Sequence, residues 1–129
     1  MQGADGWQLS NPPIMALAPV RAAFEIFCEA GMENLRAKSI SLTGYLEFLL
    51  RQMDSSKFRI VTPSEQGHRG AQISVRLIAH GRELCEELTA DGILADWREP
   101  DTFRVAPVPL YNSYEDVFRF GQRFSAAIG

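Results

Sequence analysis

The sequence predicts an α+β fold, with a helical first half followed by short strands that two further helices cover. Two observations carry that reading. Through Met53 the apolar residues recur at steps of three and four, whereas from Phe58 onward they alternate with polar ones. Prolines and glycines then break the second half into short pieces, ending strands at Pro63 and Pro107 and opening a loop at Gly67 and Gly70. With 129 residues, 46% hydrophobic and 22% charged, the chain suits one modest core.

Residues 1–12 read as an extended lead-in, because Asn11-Pro12-Pro13 forces non-helical geometry before a helix can start. Ile14 to Ala30 is helical, with Leu17, Val20, Phe24, Phe27 and Cys28 on one side. Pro19 predicts a kink or a late start, and Gly31 suits the C-terminal cap. A second helix is predicted over Met32–Met53. Its seam of Leu35, Ser39, Leu42, Leu46, Leu49 and Met53 suits packing against another layer or domain.

Phe58–Thr62 reads as a strand, and Ser64–Gly70 as a polar loop. Ile73, Val75 and Leu77 alternate with Gln72, Ser74 and Arg76, the pattern of a half-buried strand. Gly81–Asp91 is a helix with Leu84, Cys85 and Leu88 inward, closed by Gly92. Two strands, Ile93–Trp97 and Thr102–Ala106, flank the turn Arg98-Glu99-Pro100-Asp101. Ser113 with Asp116 three positions on marks the N-terminus of a last helix, whose inner face carries Val117, Phe120, Phe124 and Ile128.

Several function classes fall away. A net charge of −3 argues against nucleic acid as the main partner, which needs a basic face. No apolar run reaches bilayer length, and the first residues lack a signal peptide's basic and apolar regions, so a soluble, cytoplasmic protein is expected. Cys28 and Cys85 are expected as buried thiols, and His68 and His80 stand too far apart to suggest a metal site. No phosphate-binding glycine loop or nucleophile elbow is present.

Arg104 is the leading candidate for chemistry. It lies within an apolar strand that two prolines then stop, and its strand neighbours Thr102 and Ala106 are small. A cation in that setting needs an anionic partner, either a ligand carboxylate gripped by the planar fork or a nearby acid in a structural salt bridge. Asn11 is the second candidate. By itself it is a turn former, but the following prolines would hold its amide in place for binding. Arg69 reads as a loop residue at an entrance, and His68 as a solvated one.

The stretches Trp7–Ile14 and Phe103–Asn112 resemble kynureninase, a pyridoxal-phosphate hydrolase of tryptophan breakdown. Glu29–Met32, Leu42–Glu47, Ile60–Pro63, Arg69–Ser74 and Asp96–Pro100 match in the same order. The resemblance spans nearly all of this chain but only the C-terminal third of such an enzyme. It implies the small domain of a fold type I pyridoxal-phosphate enzyme, related to class V aminotransferases, with a short, mostly antiparallel sheet covered by helices. Residues 1–31 would be the lead-in and first helix, 32–54 a long linking helix, and 55–129 the small domain.

By the same resemblance Arg104 holds the α-carboxylate of L-kynurenine, and Asn11 contributes to binding both cofactor and substrate. The products would be anthranilate and L-alanine, or 3-hydroxyanthranilate from the 3-hydroxy substrate, and the enzyme a homodimer. No bond-breaking residue is assigned to this chain. Pyridoxal phosphate also needs a lysine, an acid facing its ring nitrogen and a phosphate cup. Lys38 and Lys57 lack the expected surroundings, so those parts are expected upstream of Met1, and this chain alone is expected to be inactive. The alternative is a stand-alone binding or dimerisation module using the Leu35, Leu42, Leu46 and Leu49 seam as its partner surface.

Overall fold

A computed structural model describes residues 2–129, and these divide into two compact units, one running up to Asn34 and the other Leu35–Gly129. The first contains helix α1, Ile14–Ala30. Its lead-in is not extended throughout. Gly3, at a φ of 88° that favours glycine, opens a single 3-10 turn over Ala4–Trp7. The Pro13 carbonyl accepts from the amides of Ala16 (2.9 Å) and Leu17 (3.1 Å), so the helix begins directly after the paired prolines.

Pro19 does not delay that start, since α1 runs unbroken through it. The ring removes one bond from a helix of 17 residues and leaves the others in place. Gly31 caps α1 at a φ of 77°, its amide donating to the Phe27 carbonyl. The inner face expected for α1 is open instead. Phe24 is 62% exposed, Leu17 and Val20 are exposed too, and Cys28 is an exposed thiol rather than a buried one. An apolar stripe closes only against another layer, and a four-residue turn is too small to be one.

The second unit takes its core from the second helix, α2 (Met32–Arg51), whose residues from Leu35 onward belong to it. Four strands follow in the order β1 (Phe58–Ile60), β2 (Ile73–Leu77), β4 (Thr102–Val105) and β3 (Asp96–Arg98), every neighbouring pair antiparallel. Helices α3 (Arg82–Ala90) and α4 (Tyr114–Ile128) complete it. Leu42, Leu46 and Leu50 of α2 meet Phe58, Val75 and Phe103 of the sheet in one cluster, together with Leu84 and Leu88 of α3 and Phe120 and Phe124 of α4.

The seam of α2 is therefore filled from within the unit. Leu35, Ser39, Leu42 and Leu46 are buried and Leu49 half-buried, so the seam is not the partner surface that the stand-alone reading requires. Burying Phe103 and Phe124 stabilises the fold by about 2–3 kcal/mol each. Their ring centroids lie 5.6 Å apart, a contact worth about 1 kcal/mol more. Gly121 lets α4 approach α2, because a Cβ there would sit 3.0 Å from Leu49 Cδ1. Ser113 and Asp116 form the expected reciprocal cap of α4.

Two strands are shorter than the alternation predicts, β1 ending early and β3 starting late. At Thr62 the side-chain oxygen, not the backbone, accepts from the Ser74 amide (2.8 Å), so the β1 ladder stops. Gly92 and Ile93 donate back to Thr89 and Leu88, which binds these residues to the end of α3 and delays β3 to Asp96. The β3–β4 connection is also one residue shorter than the four-residue turn expected. Arg98 pairs with Thr102, which sets Asp96 opposite Arg104 and Trp97 opposite Phe103. Among the described residues no helix is long and apolar enough to cross a membrane.

Candidate functional site

Alternation fixes what each face of the sheet carries. Phe58, Val75, Leu77 and Phe103 point to the helices, so Arg59, Ser74, Arg76, Asp96, Arg98 and Arg104 share the opposite face. In β4, Arg104 sits between Ser74 on one neighbouring strand and Asp96 on the other. Its side chain is 29% exposed.

Arg104 Nε donates to Asp96 Oδ2 at 2.6 Å, and Nη2 donates to the same oxygen. Arg98 Nε reaches that oxygen too, at 2.9 Å. Hydrogen bonding from Arg104 is the main reason the Asp96 carboxyl is held below the usual range; desolvation opposes it, and the charges of both arginines and the hydrogen bond from Arg98 add to the lowering. Sequence alone left ligand carboxylate and structural acid as rival partners for Arg104. The geometry supplies the acid and still leaves the Nη1 nitrogen over, since no described residue accepts from it. Among the described residues Trp97 Nε1 is the one enclosed side-chain polar atom without a partner, so Nη1 is not fully enclosed, in keeping with a side chain that is partly exposed.

The second arginine of interest behaves differently from its sequence expectation. Arg69 does not line an entrance: its side chain is 5% exposed, and Nη1 donates to Glu47 Oε2 on α2. Glu47 Oε1 accepts from Arg51 Nε (2.9 Å) and Nη2 (2.6 Å). Burial would raise the Glu47 pKa, but the hydrogen bonds and charges of Arg51 and Arg69 outweigh it and hold it low. Arg36 Nη2 donates to the carbonyls of Gln66 and Arg69, and Thr43 Oγ1 to that of Ala71, which pins the loop to α2. His68 stays solvated beside Glu65.

Asn11 belongs to the first unit. It lies between Ser10, whose carbonyl accepts from Gln8 Nε2, and the prolines that open α1, and it is exposed. The lysines are far from Arg104 in kind and place. Lys38 is exposed on α2, while Lys57 sits beyond β1, on the far side of β2 from β4, with its carbonyl bonded to Ile78. Within the second unit, then, the residues present can hold a carboxylate but offer no amine beside it for an aldehyde cofactor. No group of metal-ligating side chains occurs among the described residues.

Asp96 and Glu47 were both missed as partners. Asp96 had a signal in the turn length, which decides whether it faces the core or Arg104. Glu47 had one in its spacing, four residues after Thr43 and beside Leu46 on the buried side of α2.

The fold defines a class: this is a small α+β domain with the fold of the C-terminal domain of a fold type I pyridoxal-phosphate enzyme. The same fold occurs in a solved C-DES mutant with glycine linked to its pyridoxal-phosphate cofactor. The TM-score is 0.73 at 16% identity, over 97% of this chain and 32% of that one. Residues 35–124 match the family described as kynureninase C-terminal domain, and the chain belongs to that family.

It is 60% identical over 126 residues to the kynureninase of Koribacter versatilis, covering 98% of this chain and 30% of that protein. For the kynureninase of Xanthomonas oryzae the figures are 56% identity over 92% of this chain and 29% of the relative. For that of Stenotrophomonas maltophilia they are 52%, 98% and 31%. The chain thus spans about 30% of the length of the curated relatives it matches.

Proposed function

We propose that this chain is the small-domain portion of a kynureninase. The enzyme would hydrolyse L-kynurenine, or its 3-hydroxy derivative, to L-alanine and anthranilate or 3-hydroxyanthranilate, as a cytoplasmic homodimer in tryptophan breakdown or NAD biosynthesis. The observation that carries the reading is Arg104, a half-buried guanidinium on the open sheet face whose Nη1 nitrogen has no acceptor among the described residues.

Bound pyridoxal phosphate would supply the electron withdrawal that makes the substrate Cα–H acidic. It would be held mainly by the part of the enzyme that this chain does not include. The present chain binds and orients. Arg104 takes the substrate α-carboxylate, which fixes the position of Cα and the reacting side chain. Asn11, held by Pro12 and Pro13, contributes an amide to cofactor and substrate. Neither residue moves the reacting proton. The open apolar side chains of α1, Phe24 and Val20 among them, suit a helix covered by the remainder of such an enzyme.

A chimaera tests this directly, with the present chain replacing the matching segment of the Koribacter versatilis kynureninase. Release of anthranilate from L-kynurenine, strongly but measurably reduced on Arg104→Ala and less reduced on Asn11→Ala, is the expected result. A folded, cofactor-loaded chimaera that leaves L-kynurenine intact would refute the reading.

A further inference from the structure

We propose that Asp96 is a positioning residue for substrate, acting through Arg104: it occupies the Nε–Nη2 side of the guanidinium and turns the Nη1 end toward the substrate carboxylate. This rests on the reading that Arg104 receives that carboxylate. Three observations support it.

The first is directional. Both bonds from Arg104 to Asp96 come from Nε and Nη2, and both end on Oδ2. The guanidinium is planar and rigid, so fixing those two nitrogens also fixes the direction of Nη1. A long arginine side chain without such a partner would sample several rotamers, and a ligand would have to select one of them.

The second is the local charge. Asp96 is shared by Arg104 and Arg98, so two cations surround one anion. Arg76, the next arginine on this face, is already paired with Asp101. The Arg98–Asp96–Arg104 group therefore carries a net positive charge, to which Arg59 on the same face adds, and this suits an anionic carboxylate.

The third is the flank opposite Asp96. There β2 places Ser74 beside Arg104, a neutral hydroxyl that accepts from Gln72 Nε2. No acid on that strand competes for the free end. Backbone pairing across β3 and β4 holds Asp96 and Arg104 in register, so the pair is set before ligand arrives.

The test uses the same full-length chimaera and two substrates, L-kynurenine and its α-carboxamide, which lacks the anionic group. Asp96→Asn is expected to raise KM for L-kynurenine about ten-fold, the scale of one lost hydrogen bond to a charged group, with kcat little changed. KM for the carboxamide should stay where it was. Asp96→Glu should recover part of the loss, and Asp96→Asn should add nothing in an Arg104→Ala background.

A merely structural role would lower the thermal midpoint and affect both substrates alike, and that result overturns the proposal. If Arg104→Ala separates the two substrates but Asp96→Asn does not, the proposal fails while the reading of Arg104 stands. If Arg104→Ala itself treats them alike, the reading falls and the proposal with it.

Discussion

Arg69 and Arg104 each meet a carboxylate within one domain, yet they do opposite things with it. Arg69 is enclosed, and its acid Glu47 is also held by Arg51, in a network that ties a loop to α2. Arg104 is half-open on the uncovered sheet face, and its acid takes only one side of the guanidinium. The difference teaches that pairing with an acid does not by itself mark an arginine as structural. What separates the two is enclosure: Arg69 is shut in against α2, whereas Arg104 stays partly open on the sheet face.

The sharpest way to break the comparison is to remove each arginine's function in turn. In the full-length context, Arg104→Ala should weaken transition-state binding of L-kynurenine by about 2–5 kcal/mol, the scale for truncating one partner of a desolvated charge pair. The thermal midpoint should barely move. Steady-state kinetics with parallel calorimetry checks both halves, and an unaltered kcat/KM would remove Arg104 from the substrate site.

Glu47→Ala should do the reverse. It leaves Arg69 buried without its anion and should cost about 3 kcal/mol of folding stability. Denaturant unfolding measures that, and kcat/KM per folded molecule should be preserved. Loss of substrate binding at full stability would erase the distinction between the two sites.

Acid sharpens it further. The Glu47 pKa is lower in the folded chain than its ordinary value of 4.5, so the unfolded chain binds the proton more readily. Its stabilising contribution is complete above that ordinary value and is lost as the pH falls through the lowered folded one. Wild type and Glu47→Gln should therefore converge in stability as the medium is acidified. Curves that stay parallel would show that Glu47 is not ionically linked to folding.

The smallest effect belongs to a control distant from both arginines. Ser113→Ala removes the cap of α4 and should cost about 1 kcal/mol with no change in kinetics.

What the sequence disclosed follows the range of the forces involved. The caps at Gly31 and Ser113 are local, so α1 and α4 were legible almost to the residue. The seam of α2 was legible as apolar, but its occupant was not, because the sheet that fills it comes later in the chain. Arg104 stood out because its neighbours are apolar or small. Its partner did not, since that depended on strand register. A four-residue turn would set Asp96 opposite Phe103 on the core face, and the shorter connection observed sets it opposite Arg104. Glu47 and Arg69 are 22 residues apart and joined through a loop, where no periodicity announces a contact.

The unequal state of the two cysteines has a practical consequence. Cys85 is closed in the core while Cys28 stands open on α1. Thiol-directed reagents should therefore attach to one position without any prior mutagenesis. A dye or spin label at Cys28 would sit on the helix whose apolar side chains are uncovered in this chain, and its signal would report the moment something covers them.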